Sequence, residues 1–160
     1  ILTRAEKINR VLFLTDRNAL KQQAMGDLGS SGFKQFFPNE IKRYLTSGHL
    51  EPAKLYAGTI QTLAEIYKEL SPGYFDLIIS DEAHRSIQGV AWNPILSYFD
   101  AIQIGLTATP SDLVDKNTFD QFDCFDGKPT FNFSYEDVTR YDYWKRMEFT
   151  FDQWLFIKKH

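Results

Sequence analysis

An α/β fold on a mostly parallel sheet is what this sequence predicts, and three runs of one form predict it. They are Arg10-Val11-Leu12-Phe13-Leu14-Thr15-Asp16-Arg17, Asp76-Leu77-Ile78-Ile79-Ser80-Asp81-Glu82-Ala83-His84 and Ala101-Ile102-Gln103-Ile104-Gly105-Leu106-Thr107-Ala108-Thr109-Pro110. Each passes through apolar residues and stops at small polar or charged ones. Short apolar runs bounded in this way suit strands buried in a parallel sheet. The groups that follow such strands share one rim, the carboxyl edge where open α/β sheets bind ligands.

The first run predicts a strand over 11–15, then Asp16 as N-cap of a helix over about 18–28. Ala19, Leu20, Ala24 and Leu28 fall near one face of that helix. Residues 29–54, rich in Gly, Ser, Pro and mixed charge, read as an irregular connection with one short helix around 39–46. Leu55-Tyr56-Ala57 reads as a short strand. Thr59 then caps a helix to about Leu70, because Ile60, Leu63, Ala64, Tyr67 and Leu70 recur at helical spacing. Ser71-Pro72-Gly73 ends it. A strand over 75–80 follows, and Asn93-Pro94 fits an N-cap with proline at the first position of a helix reaching about Phe99. The next strand spans 102–106. Strand and helix alternating in this way predict right-handed crossovers between parallel strands.

The last third is different. Asp112, Asp115, Asp120, Asp123 and Asp126 punctuate a broken polar stretch, interrupted by Phe119, Phe122, Phe125, Phe131 and Phe133. Aromatics can stack on bases, but mixed with acids these are expected to pack on the domain surface. Ser134-Tyr135-Glu136-Asp137 has the form of a helix start. Phe149-Thr150-Phe151 and Trp154-Leu155-Phe156 carry no functional reading.

At 160 residues, 43% hydrophobic and 16% aromatic, the chain can bury a core as one modest domain. No apolar stretch approaches the roughly 20 residues of a membrane span, and no secretory signal is visible in the first residues. A single cysteine, Cys124, excludes an internal disulfide framework and fits a reducing cytoplasm. His49, His84 and His160 lack the short-range pairing of a structural zinc site. The formal charge of −3 argues against wholesale attraction to nucleic acid. Lys34, Lys42, Arg43 and Lys54 form a loose basic cluster that reads more readily as solvated surface than as a dedicated DNA patch.

Asp81 and Glu82 are adjacent carboxylates at a strand end. Such a pair can divide nucleotide hydrolysis, one holding Mg²⁺ through its water shell and the other orienting or deprotonating the attacking water. A solvated acidic turn is the other reading of the same residues.

The motifs together resemble a known group. Asp81-Glu82-Ala83-His84 is similar to the DEAH box of superfamily 2 helicases and translocases, and Leu106-Thr107-Ala108-Thr109-Pro110 to their third motif. Thr15-Asp16-Arg17-Asn18-Ala19-Leu20 with Gln23, and Tyr56-Ala57-Gly58-Thr59-Ile60-Gln61-Thr62-Leu63, resemble the DNA-facing segments of restriction-type motors. The set looks most like the motor subunit of type I restriction enzymes and covers about residues 10 to 140. It implies a RecA-like three-layer fold, incomplete at its N-terminus, with residues 1–112 as a partial first motor domain. Residues 113–160 would then be a connection and tail leading towards a second one, although Tyr141-Asp142-Tyr143-Trp144 departs from the family's exit.

The resemblance implies ATP and Mg²⁺ as cofactors, and duplex DNA and other restriction-modification subunits as partners, with no membrane. Asp81 would be the Mg²⁺-side carboxylate and Glu82 the base. His84, Thr107, Ala108 and Thr109 would couple nucleotide state to DNA, and Asp16, Arg17, Thr59 and Gln61 would face the DNA backbone. Intradomain roles stand beside these: a brace for His84, a salt bridge for Arg17, a helix cap for Thr59. Arg85 does not read as an arginine finger.

A phosphate-cradling Gly-x-x-x-x-Gly-Lys followed by Ser or Thr does not occur in the chain. In the family this loop lies upstream, so the expectation is a piece of a longer protein that alone hydrolyses ATP negligibly. The strand bearing Asp81 is then expected to expose an unpaired edge, with low stability or self-association. Two alternatives stay open: a regulatory protein with a degenerate helicase fold, and a nucleic-acid motor of another superfamily 2 branch.

Overall fold

The computed structural model describes residues 8–28, 32–81, 92–107, 112–113, 116–117, 119, 122–124, 126–133 and 153–158. Strand β1 (Val11–Thr15) leads to helix α1 (Asn18–Met25), helix α2 (Phe33–Phe36), strand β2 (Lys42–Tyr44) and strand β3 (Leu55–Thr59). Helix α3 (Ile60–Ile66) runs into a 3₁₀ turn at Tyr67–Glu69, followed by β4 (Leu77–Ser80), α4 (Trp92–Leu96) and β5 (Ile102–Thr107). The two-residue strands β6 (Asp112–Leu113) and β7 (Lys116–Asn117) pair with each other, and β8 (Phe131–Phe133) and β9 (Gln153–Lys158) close the order.

The main sheet has the order β2-β3-β1-β4-β5-β9-β8. From β2 through β5 every neighbouring pair is parallel, while β9 is antiparallel to both β5 and β8. This is an α/β RecA-like sheet with an antiparallel extension at one side. β4 lies between β1 and β5, so the strand leading to Asp81 is interior and its expected unpaired edge does not exist. The β5 flank that would otherwise be open is covered by β9 along Gln103–Thr107. Trp154-Leu155-Phe156, which had no reading in the sequence, are part of that strand.

Strand alternation sorts the apolar side chains onto two faces. Leu12, Leu14, Tyr56 and Ile78 pack with Leu63 and Ile66 of α3 and with Ile95, Leu96 and Phe99 in and after α4. Val11, Leu55 and Leu77 form the other face, with Phe33 and Phe37 packed on it. Both faces are apolar, as a parallel sheet requires. Tyr56 is wholly buried, yet its hydroxyl is satisfied: it receives the Ala53 amide at 2.8 Å and donates to the Glu51 carbonyl at 3.0 Å. Burial, with the Tyr74 hydroxyl beside it, pushes the Tyr56 phenol up to about 12. Gln103, a polar residue inside an apolar strand, donates at 2.8 Å to the Leu96 carbonyl at the end of α4, which also accepts the Phe99 amide at 3.3 Å.

Several local expectations are corrected. Arg17, not Asp16, is the N-cap of α1, and no side chain caps it. The helix stops at Met25 because Gly26 adopts the left-handed conformation, φ 92°, and turns its amide back to the Gln22 and Gln23 carbonyls. Its inward residue is Met25, whereas Leu28 lies beyond the helix and is exposed. The segment assigned to a short helix at 39–46 is the edge strand β2, since parallel pairing with β3 outweighs its weak local preference. Asn93 lies inside α4, which starts at Trp92.

Gly58 sits in β3 where a Cβ would come within 2.6 Å of the Leu45 Cβ and 2.8 Å of its Cδ2. Gly58→Ala is expected to lower the urea midpoint at unchanged m-value, by about 1–3 kcal/mol of stability. Leu45→Ala in the same chain should recover part of the loss. An unchanged midpoint for Gly58→Ala would show that Leu45 moves aside freely there.

Candidate functional site

The register of the parallel strands builds the site. Thr15 pairs with Thr59, Leu14 with Ser80, and Ser80 with Gly105. One further rung sets Asp81 between Thr15 and Leu106, with Thr107 one residue beyond. The Asp81 amide still donates to the Leu14 carbonyl at 2.8 Å, so its main chain is held in the ladder. The Asp81 turn and the end of β5 therefore emerge side by side from parallel strands at one rim. Asp81 continues the face of Ile79, whereas Thr107 shares its strand face with Gln103 and is buried.

The turns after β1 and β3 lie beside one another on the same rim. Asp16 is largely shielded and Arg17 exposed, with 3.7 Å between the Asp16 Oδ2 and the Arg17 Nε. With its cationic partner in solvent and 3.7 Å between the groups, the pair is a weak one, and the guanidinium can exchange it for another anion. Thr59 caps α3: its Oγ1 accepts the Thr62 amide at 3.3 Å and lies 3.0 Å from the Thr62 hydroxyl. Gln61 follows in the first turn of α3, exposed. Of the residues singled out in the sequence, Asp81, Thr107, Asp16, Arg17, Thr59 and Gln61 are brought to this rim. Glu82, His84, Ala108 and Thr109 lie outside the described residues.

A row of buried hydroxyls lies behind the rim, and two of its four members, Thr15 and Ser80, were not singled out from sequence. Thr15, Ser80, Thr59 and Thr107 are all buried, each at the end of its strand. The signal was present in the runs themselves, which end in Thr or Ser before the charged residues. Periodicity reads such residues as boundaries and gives no information on their burial.

The basic cluster behaves as a solvated, self-neutralised surface. Lys34 pairs with Asp27, Arg43 with Glu51 at 3.0 Å, and Lys54 with Glu40 at 3.3 Å. The Asp27 carboxylate also receives the Tyr44 hydroxyl. Lys34, then Tyr44, hold Asp27 below the usual carboxylate value, and burial together with Asp27 pushes Tyr44 up to about 12. A surface cavity of about 330 Å³ lies elsewhere, among His49, Leu50, Glu69, Leu70 and Tyr74. Glu69 ends the 3₁₀ turn, and the others belong to the loops leading into the amino ends of β3 and β4, away from the rim.

Residues 1–112 match the family described as type III restriction enzyme, res subunit. The chain is 32% identical over 147 residues to the type I restriction enzyme EcoAI endonuclease subunit of Escherichia coli, an alignment covering 85% of this chain and 17% of that protein. The Pyrococcus furiosus Hef helicase domain superimposes with a TM-score of 0.58 at 26% identity, over 74% of this chain and 29% of the other. A fragment of a putative HsdR subunit of a type I restriction enzyme from Vibrio vulnificus YJ016 gives 0.54 at 29% identity, over 81% and 20%. The chain thus spans less than a third of each of these proteins.

Two measurements probe this surface. Thr59→Ala is expected to cost about 1 kcal/mol in urea unfolding, and Thr59→Ser much less, because the cap needs only the hydroxyl. Equal losses would show that the cap contributes nothing. Tyr44 has a folded value of about 12 against an ordinary 10.0. The folded chain therefore keeps this proton after the unfolded chain has lost it, so stability falls as pH rises between those values. Spectrophotometric titration, with Tyr44→Phe as the blank, should show Asp27→Asn moving this phenol downward.

Proposed function

The chain belongs to the type III restriction enzyme res subunit family, and from that premise we propose that it is part of the first motor domain of an ATP-driven DNA translocase in a restriction-modification system. The observation that carries the reading is the shared rim, where the Asp81 turn and the end of β5 emerge from adjacent parallel strands. A nucleotide-hydrolysing site requires both turns on one rim, the edge at which open α/β sheets bind ligands.

The donor set suits the proposed cofactors. Mg²⁺ takes oxygen ligands and keeps several of its waters, and Asp81 offers a carboxylate on a main chain fixed to β1. Asp81 would hold the ion through its water shell, and Glu82 would orient or deprotonate the attacking water. When bound with ATP, Mg²⁺ neutralises charge developing on the phosphates. His84, Thr107, Ala108 and Thr109 would relay nucleotide state by hydrogen bonds. Asp16, Arg17, Thr59 and Gln61 would face the DNA backbone, where the exposed Arg17 can leave its long contact with Asp16 for a phosphate. Other restriction-modification subunits would supply sequence recognition.

Among the described residues no helix is long and apolar enough to cross a membrane. The proposed setting is the cytoplasm, with residues 113–160 leading towards a second motor domain. By itself the chain is proposed to turn over ATP negligibly, because its residues contain no Gly-x-x-x-x-Gly-Lys cradle.

In the complete protein, Glu82→Gln is expected to lower DNA-stimulated ATP turnover by roughly 10²–10⁴-fold with ATP binding retained. Asp81→Asn should raise the Mg²⁺ concentration needed for half-maximal turnover. Stimulation by duplex DNA rather than single strands or RNA separates a restriction motor from another nucleic-acid motor. Full turnover in Glu82→Gln would reject the catalytic assignment.

A further inference from the structure

Thr15 carries no assigned role, yet it occupies the position from which both halves of the proposed site are reached. It is the last residue of β1 and is wholly buried. Val11-Leu12-Phe13-Leu14 precede it, and valine would suit the next strand position at least as well. A hydroxyl buried there costs free energy unless it is hydrogen-bonded. Its Oγ1 accepts the Arg17 amide at 3.4 Å, close to the upper limit for such a bond. Arg17 is the N-cap of α1 and receives no side-chain cap of its own. The Thr15 hydroxyl therefore fixes the turn that presents Arg17.

The neighbours of Thr15 are equally specific. On one side its rung holds Thr59, whose hydroxyl caps α3. On the other side the next rung holds Asp81, whose amide is bonded at 2.8 Å to the carbonyl of Leu14, the residue before Thr15. One residue thus touches the Arg17 turn through its side chain, the Thr59 turn through the β1–β3 ladder, and the Asp81 turn through the adjoining peptide. A contiguous chain of bonds of this kind is one route by which two sites are energetically coupled.

We infer that Thr15 is a positioning residue that holds the DNA-facing turn of Arg17 and the carboxylate turn of Asp81 in one geometry. The inference rests on the motor reading above. It requires the hydroxyl rather than the bulk of the side chain, since the bond to the Arg17 amide is the link that valine lacks.

The test uses the complete protein, comparing ATP turnover with and without duplex DNA for the parent, Thr15→Val and Thr15→Ser, alongside DNA affinity. Thr15→Val is expected to cut the ratio of DNA-stimulated to DNA-free turnover by about tenfold. DNA affinity should fall with it, because the Arg17 turn loses its brace, and Thr15→Ser should restore both the ratio and the affinity. If Thr15→Val does not accumulate as folded protein, Thr15→Ala supplies the same comparison. A ratio unchanged without the hydroxyl, or a serine variant as impaired as the valine one, would overturn the inference while leaving the motor reading intact. A parent protein whose turnover ignores duplex DNA would overturn both.

Discussion

Parallel pairing in a common register is the constraint on which the rest of this molecule depends. Because β3, β1, β4 and β5 run in one direction, their carboxyl ends collect on one rim, and every described candidate residue follows or closes one of those strands. Reversing one strand would send its terminal residue to the far end. A slip of one residue would move each side chain to the opposite face. The chemistry open to Asp81 is therefore a property of the sheet before it is a property of the carboxylate.

Register is in turn enforced by the two apolar faces. Leu12, Leu14, Tyr56 and Ile78 are wholly buried against α3 and α4, while Val11, Leu55 and Leu77 meet the aromatic residues around α2. A one-residue slip would exchange these sets, and removing one fully buried leucine typically costs about 2–5 kcal/mol. Tyr56 adds a polar restraint, because its hydroxyl satisfies two main-chain groups of the loop entering β3. The same packing that stabilises the fold thus fixes the rim.

Charge acts locally. With a formal net charge of −3 and three of the clustered basic residues paired to acids, the body of the domain offers little general attraction for a polyanion. The rim offers an exposed guanidinium at Arg17 and the start of α1, with no side-chain cap. Any DNA contact by this domain therefore belongs to turns whose positions the strands dictate, and less to the long basic side chains of residues 34–54.

The sequence by itself determined the strands that build the site and the end of the sheet to which they deliver it. Mainly apolar runs ending in Thr15-Asp16-Arg17, Ser80-Asp81-Glu82 and Thr107-Ala108-Thr109 carry that information locally, as does Thr59 before its helical repeat. Only the tertiary structure decided what depends on distant partners. Lys42–Tyr44 becomes a strand because β3 lies beside it, and Gln153–Lys158 joins the sheet because β5 offers a flank. Asp81 leads off an interior strand for the same reason, and Thr15 acquires its importance from neighbours 44 and 66 positions away in the chain (59 − 15 and 81 − 15). Hydrogen-bonded pairing between strands leaves almost no trace in local periodicity, because its free energy comes from the partner and not from the segment itself.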